Sequence, residues 1–220
     1  MTLTHTHAGN AVQTFGAELE NARAAVILIH GRGSNAGDII GLADVLTPQT
    51  SVVSPQIHWV APQATLNVWY PVPFTEPVEK NEPALSSALT RIDELVDEAL
   101  AAGIPNEQIA LGGFSQGACL SLEYAARGSR KLGYVFAFSG GLIGPPKEAR
   151  LPIADLDGLQ VFIGSGTSDS LIGIDNVVRS VNLLRAAGAK VEFQDYPGVG
   201  HTIVNQEVLA VRTALTAFIQ

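Results

Sequence analysis

Residues 24–29, Ala-Ala-Val-Ile-Leu-Ile, form an unbroken apolar run that ends in His30. A strand with one wet face alternates apolar and polar side chains. A run that is apolar at every position is a strand buried on both faces, as in a parallel sheet covered by helices. The run breaks at once into Gly31-Arg32-Gly33-Ser34-Asn35, and similar apolar runs recur at residues 57–60, 108–114, 134–138, 159–164 and 191–196. Segments of helical period lie between them. Residues 83–102 place Leu85, Leu89, Ile92, Leu95, Val96, Ala99 and Leu100 on one stripe, with Pro83 at the start and Gly103 beyond the end. Further helices are predicted at 37–46, 116–127, 174–187 and 203–219. This alternation predicts an α/β fold, a mostly parallel central sheet with helices on both faces and no large cap domain. No linker or repeat divides the chain, so residues 1–220 are expected to form a single domain. Residues 1–20 are expected to be a loosely ordered terminus or an edge strand around residues 11–15.

Composition narrows the partners. With 220 residues, 46% hydrophobic and 15% charged, the chain can bury a sizeable core. No window approaches the roughly 18 uninterrupted apolar residues of a membrane span, and residues 1–10 lack the basic and apolar regions of a signal peptide. A soluble, cytoplasmic protein without stable membrane insertion is therefore expected. Thirteen Lys and Arg against 21 Asp and Glu give a net charge of −8, which argues against binding nucleic acid. Cys119 is the only cysteine, so no internal disulfide or thiolate metal cluster can form within one chain; it is expected as a small buried core residue. His5 and His7 lack further metal ligands nearby and are expected to be solvated. Neither a metal nor a cofactor site is predicted.

Residues 63–83 concentrate Pro71, Pro73, Pro77 and Pro83 with Trp69, Tyr70 and Phe74. So many missing N–H donors predict a long surface loop without regular structure, and its aromatics suggest a functional one.

The chemistry centres on Gly113-Phe114-Ser115-Gln116-Gly117, placed between a strand and a helix. This is the pattern of a nucleophile elbow, where serine sits at a tight, strained turn with its hydroxyl raised above the sheet. A serine hydroxyl needs a base, and the base needs a carboxylate to fix its tautomer. Beyond Ser115 the only histidine is His201, in the glycine-rich loop Pro197-Gly198-Val199-Gly200 before the last helix. Of the acids in between, Asp169 follows the strand at 159–164 and emerges at the same sheet edge as Ser115 and His201. Asp155 and Asp157 precede that strand, Asp175 is expected to cap a helix, and Asp195 lies within a strand. The serine, acid, histidine order is that of a strand–turn–helix hydrolase site. Donors for a tetrahedral oxyanion are expected from the backbone N–H groups of Gln116 and Arg32. Two roles stay open for the Arg32 side chain, bonding the loop in place or meeting a polar substrate group.

Together, His30-Gly31-Arg32-Gly33, Trp69-Tyr70-Pro71, the Ser115 elbow, residues 164–169 and Gly200-His201 resemble the phospholipase/carboxylesterase family of α/β-hydrolases, which includes acyl-protein thioesterases. The resemblance runs from about Ala24 onward. It implies the α/β-hydrolase fold, a cofactor-free hydrolase of small-molecule carboxylic esters that is often a homodimer, catalytic residues Ser115, Asp169 and His201, and oxyanion amides from Arg32 and Gln116. The thioesterase branch typically has Gly-Asp where this chain has Gly33-Ser34, and Val-Pro in the acid loop where Asp169 is followed by Ser170-Leu171-Ile172-Gly173. The chain is closer in these positions to the bacterial carboxylesterase branch. Expected pocket walls are Trp69, Tyr70, Phe74, Leu142, Ile143, Leu171 and Ile172, suited to short- or medium-chain or aromatic esters. The alternatives are a thioesterase or lysophospholipase acting on long acyl chains, and a non-catalytic binding protein of hydrolase fold.

Overall fold

The computed structural model describes residues 7–48, 56–128, 130–146 and 153–219. The apolar run at residues 24–29 is a strand, β2 (Ala24–Ile29), buried at every position. Its alternate side chains enter two cores on opposite faces. Ala25, Ile27 and Ile29 belong to one core together with Leu85, Leu122 and Val181, which lie on α3 (Ala84–Ala101), α4 (Gln116–Arg127) and α5 (Ile174–Ala186). Ala24, Val26 and Leu28 belong to the other, with Ile39, Leu46 and Val211 of α1 (Ala36–Ile40), α2 (Leu42–Leu46) and α6 (Asn205–Phe218). The continuous apolar run thus has its cause in the two covered faces.

The other strands are β1 (Val12–Gly16), β3 (Ile57–Pro62), β4 (Ile109–Phe114), β5 (Tyr134–Phe138), β6 (Gln160–Gly166) and β7 (Lys190–Tyr196). They form one seven-stranded sheet in the order β1-β3-β2-β4-β5-β6-β7, with β1 antiparallel on the edge and the remaining pairs parallel. This is the α/β-hydrolase architecture expected. Strand order reverses direction at β2, between β3 and β4, and such a switch point opens a crevice at the carboxyl ends of the strands. The register pairs Ile29 with Gly113, Phe114 with Phe138 and Gly166 with Tyr196. The loops that follow β2, β4, β6 and β7 therefore share one edge. Among the described residues, no helix is long and apolar enough to cross a membrane.

Three local expectations are corrected. The helix predicted at 37–46 is two short helices that meet at Gly41, the glycine in the middle of that stretch and a residue of low helix propensity. The 63–83 loop contains the 3-10 turns Thr65–Asn67 and Val78–Asn81, and its middle is not at the surface: Trp69 and Tyr70 are fully buried. A buried loop must find partners for its backbone, and side chains supply them. Gln116 Oε1 accepts from the Trp69 amide, the Gln116 amide group donates to the Tyr70 carbonyl, and Asn81 Oδ1 accepts from the Val72 amide. The third correction is His7, which is fully buried rather than solvated. Its Nδ1 accepts from the Thr65 amide, so Nε2 carries the proton and donates to the Trp69 carbonyl. His5 lies outside the described residues.

Candidate active site

Ser115 ends β4 and starts α4 with φ 57 and ψ −118, a conformation an L-residue adopts only under constraint. The constraint is visible on both sides. Its amide donates to the Phe138 carbonyl at 3.0 Å, and its carbonyl accepts the Cys119 amide at 3.0 Å as the first turn of α4. A Cβ at Gly113 or at Gly117 would collide with the Ile29 carbonyl oxygen. Only glycine lets the elbow pass that close to β2.

His201 and Asp169 come to the same edge on loops that are bonded together. The Ser168 amide donates to the Val199 carbonyl at 2.9 Å, the Thr167 amide to the Tyr196 carbonyl at 3.0 Å, and the Gly198 amide to Thr167 Oγ1 at 3.0 Å. A Cβ at Gly166 would strike Val199. In this frame His201 Nε2 lies 2.8 Å from Ser115 Oγ, and Nδ1 lies 2.7 Å from Asp169 Oδ2. The Phe114 ring lies against His201, with centroids 4.8 Å apart.

The Asp169 side chain is fully buried, and Oδ1 accepts from the amides of Leu171 at 2.9 Å and Ile172 at 3.1 Å. Burial alone would push this carboxyl up. The bond from His201 and those from the Ile172 and Leu171 amides outweigh burial, so its pKa lies below the ordinary value. An ionised carboxylate facing Nδ1 leaves Nε2 to accept the Ser115 proton.

Among the described residues, neither the Arg32 nor the Gln116 backbone N–H has a protein acceptor. Gln116 begins α4, where the first amides are free of intrahelical bonds. The Arg32 segment lies against the elbow, since a Cβ at Gly31 would be 3.4 Å from Ser115 Cβ. The Arg32 guanidinium reaches the proline-rich loop, donating to the carbonyls of Tyr70 at 2.7 Å, Pro71 at 3.0 Å and Val72 at 3.3 Å.

A cavity of about 670 Å³ opens over Ser115 and His201. Of the expected wall residues, Tyr70, Phe74, Leu171 and Ile172 line it. Trp69, Leu142 and Ile143 do not; all three are buried beneath the loops, the Leu142 amide bonded to Ser180 Oγ and the Ile143 amide to the Glu123 carboxylate. Phe114, Pro71, Pro73 and Cys119 line it without having been foreseen. Cys119 was recognisable by position, because four residues beyond Ser115 is one helical turn on the same face. Burial pushes its thiol up to about 12, so it stays protonated as a small apolar wall rather than a nucleophile. Among the described residues, no group of three His, Cys, Asp or Glu side chains is placed to hold a metal ion.

The sequence model of the phospholipase/carboxylesterase family matches residues 13–219. The chain belongs to that family. A phospholipase/carboxylesterase of known crystal structure from Dyadobacter fermentans is 42% identical, with a TM-score of 0.87 over 96% of this chain and 98% of its own. Acyl-protein thioesterase 1 of Debaryomyces hansenii is 31% identical over 209 residues, 85% of this chain and 88% of that protein. The carboxylesterase of Bacillus cereus shares the fold at 20% identity, with a TM-score of 0.72 over 96% of this chain and 95% of its own. This member of the family is accordingly an α/β-hydrolase with esterase and thioesterase relatives.

Proposed function

We propose that the protein is a serine carboxylesterase that hydrolyses short- to medium-chain or aromatic carboxylic esters through an acyl-enzyme. The observation that carries this reading is the continuous relay from Ser115 Oγ through His201 to Asp169, with contacts of 2.8 and 2.7 Å. His201 Nε2 takes the hydroxyl proton as Ser115 Oγ adds to the ester carbonyl carbon. The oxyanion forms against the Arg32 and Gln116 amides. Collapse breaks the ester C–O bond, and the alcohol leaves with the proton from His201. Water, deprotonated by the same nitrogen, then adds to the acyl-enzyme, and the carboxylic acid departs as Ser115 regains its proton.

Tyr70, Phe74, Leu171 and Ile172 around a cavity of about 670 Å³ support an apolar acyl or aryl group of modest size. Ser115→Ala is expected to abolish hydrolysis of p-nitrophenyl acetate and labelling by a fluorophosphonate. Wild-type turnover in that variant would sink the assignment. The 31% identity to an acyl-protein thioesterase favours a second reading, hydrolysis of long-chain thioesters. A chain-length series of esters and thioesters separates the two. The first reading requires an optimum below roughly ten carbons, because a longer chain needs a deep groove.

A further inference from the structure

The proposed reaction gives no part to His30, yet this residue is fully buried at the end of β2 and bonded at both ring nitrogens. The Ala64 backbone N–H donates to Nε2 at 3.1 Å. A backbone amide can only donate, so Nε2 is unprotonated and the neutral ring carries its proton on Nδ1. Nδ1 lies 2.8 Å from the Gly31 carbonyl oxygen and therefore donates to it. Burial lowers the pKa of His30, against the opposing effects of the Gly31 bond and the Asp38 charge, and so favours this neutral form. The His30 carbonyl in turn accepts the Trp69 indole N–H at 2.9 Å, and the two rings lie 5.0 Å apart. The imidazole is thus held in place.

The Gly31 carbonyl and the Arg32 N–H belong to one planar trans peptide and point in opposite directions. A donor that holds the carbonyl consequently aims the amide. The Gly31–Arg32 peptide needs such a hold, because it turns about ψ of Gly31 and φ of Arg32, and glycine at the first of these leaves it free to turn over. The next peptide is already held, its Gly33 amide donating to the Asn67 carbonyl at 2.8 Å. If the Gly31–Arg32 peptide turned over, a carbonyl oxygen would face the developing negative charge in place of an N–H. The Ser34 amide also reaches the Gly31 carbonyl, at the longer distance of 3.2 Å.

We propose that His30 is a positioning residue for the oxyanion hole: its Nδ1–H fixes the Gly31–Arg32 peptide so that the Arg32 N–H faces the oxygen of the tetrahedral intermediate. The inference rests on the ester-hydrolase reading above.

Two substitutions divide the two ring bonds between them. In His30→Asn the side-chain amide sits near Nδ1 and can still donate to the Gly31 carbonyl, but it does not reach Ala64. In His30→Gln the amide oxygen sits near Nε2 and can accept from Ala64, with no donor toward Gly31. Removing an oxyanion donor outright costs about 10²–10³ in kcat. With Ser34 still in place, His30→Gln is expected to lower kcat for p-nitrophenyl acetate about 10- to 100-fold. KM should stay within about 3-fold, and affinity for a trifluoromethyl ketone should fall in step with kcat/KM. His30→Asn is expected to restore kcat to within about 5-fold of wild type, whatever its melting temperature. Wild-type kcat in His30→Gln, or equal losses in the two variants that follow their melting temperatures, would overturn the proposal. If neither variant folds, ring-15N NMR of the wild-type enzyme decides: a proton on Nδ1 with Nε2 bare supports it, and a proton on Nε2 refutes it. A wild-type protein without ester turnover would instead refute the hydrolase reading itself.

Discussion

Replacing Asp169 by Asn separates the shape of the base's partner from its charge. The carboxylate accepts three hydrogen bonds, two on Oδ1 from the amides of Leu171 and Ile172 at 2.9 and 3.1 Å and one on Oδ2 from His201 Nδ1 at 2.7 Å. A carboxamide has only one acceptor oxygen for these three donors. Turning that oxygen toward His201 leaves two backbone amides facing an NH2 group, each at a cost of about 1–3 kcal/mol. Turning it toward Leu171 and Ile172 keeps both bonds and presents the NH2 to His201. The second arrangement wins, and it demands an acceptor at Nδ1. The imidazole proton then moves to Nε2, where it blocks uptake of the Ser115 proton. A wrong tautomer of this kind costs about 10⁴ in kcat, or about 5.5 kcal/mol in the barrier. Continuous release of p-nitrophenol should therefore show kcat reduced about 10³- to 10⁴-fold at neutral pH, with KM within about 3-fold. The melting temperature should change little, because the volume and two of the three bonds are kept. Asp169→Ala provides the contrast: it strips both loop amides of their acceptor and should lower the melting temperature as well. A folded Asp169→Asn enzyme with more than a tenth of wild-type kcat, Ser115→Ala remaining inactive, would refute the tautomer argument.

Gly117→Ala should destabilise the fold by several kcal/mol. Its Cβ meets the Ile29 carbonyl group and the His30 carbonyl oxygen, which are backbone atoms of β2 and its exit loop and cannot swing aside; a thermal melt within a few degrees of wild type would contradict this. Glu207 is fully buried, with Oε2 accepting from the Val204 amide at 2.7 Å. Burial, only partly offset by that amide, pushes its carboxyl from 4.5 up to about 7. A raised carboxyl pKa means that the folded state favours the protonated form, so its contribution is complete below pH 4.5 and lost as pH rises through about 7, on the order of 3 kcal/mol in all. Melting curves of wild type minus Glu207→Gln should therefore become less favourable between pH 5 and pH 8, and a flat difference would refute the assignment.

The sheet was legible because burial on two faces leaves a signal in residue type. β2 could be recognised from Ala24–Ile29 alone, and the elbow from two glycines whose hydrogens face the Ile29 carbonyl. The positions of Ser115, Asp169 and His201 followed from strand ends sharing one edge, and the structure brings the three side chains into hydrogen-bond contact. The pocket walls were less legible. Trp69 and Tyr70 are neighbours of similar character, yet Trp69 sits beneath the cavity between His7 and His30 while Tyr70 lines it. Apolarity is the same for a residue that faces substrate and one that faces core. Leu142 and Ile143 turn inward because Ser180 and Glu123, 38 and 20 residues away in sequence, capture their amides. His7 escaped recognition for the same reason, since its partners Thr65 and Trp69 lie about 60 residues along the chain.

Those long-range bonds tie the pocket to the chemistry. Arg32 and Gln116 carry the two amides assigned to the oxyanion, and their side chains bond the carbonyl of Tyr70, with Gln116 also accepting from the Trp69 amide. Because backbone and side chain of one residue move together, a shift of the 63–83 loop pulls on both of the proposed oxyanion donors at once. Substitution of the Phe74 or Leu171 side chains leaves these bonds intact and can reshape the cavity alone. Substitutions that move the Trp69–Tyr70 backbone cannot, and should lower kcat as well as alter KM. On the proposed reading, acyl preference is therefore free to vary at Phe74, Leu171 and Ile172, while the backbone of Trp69 and Tyr70 is tied through the Arg32 and Gln116 side chains to the proposed oxyanion donors.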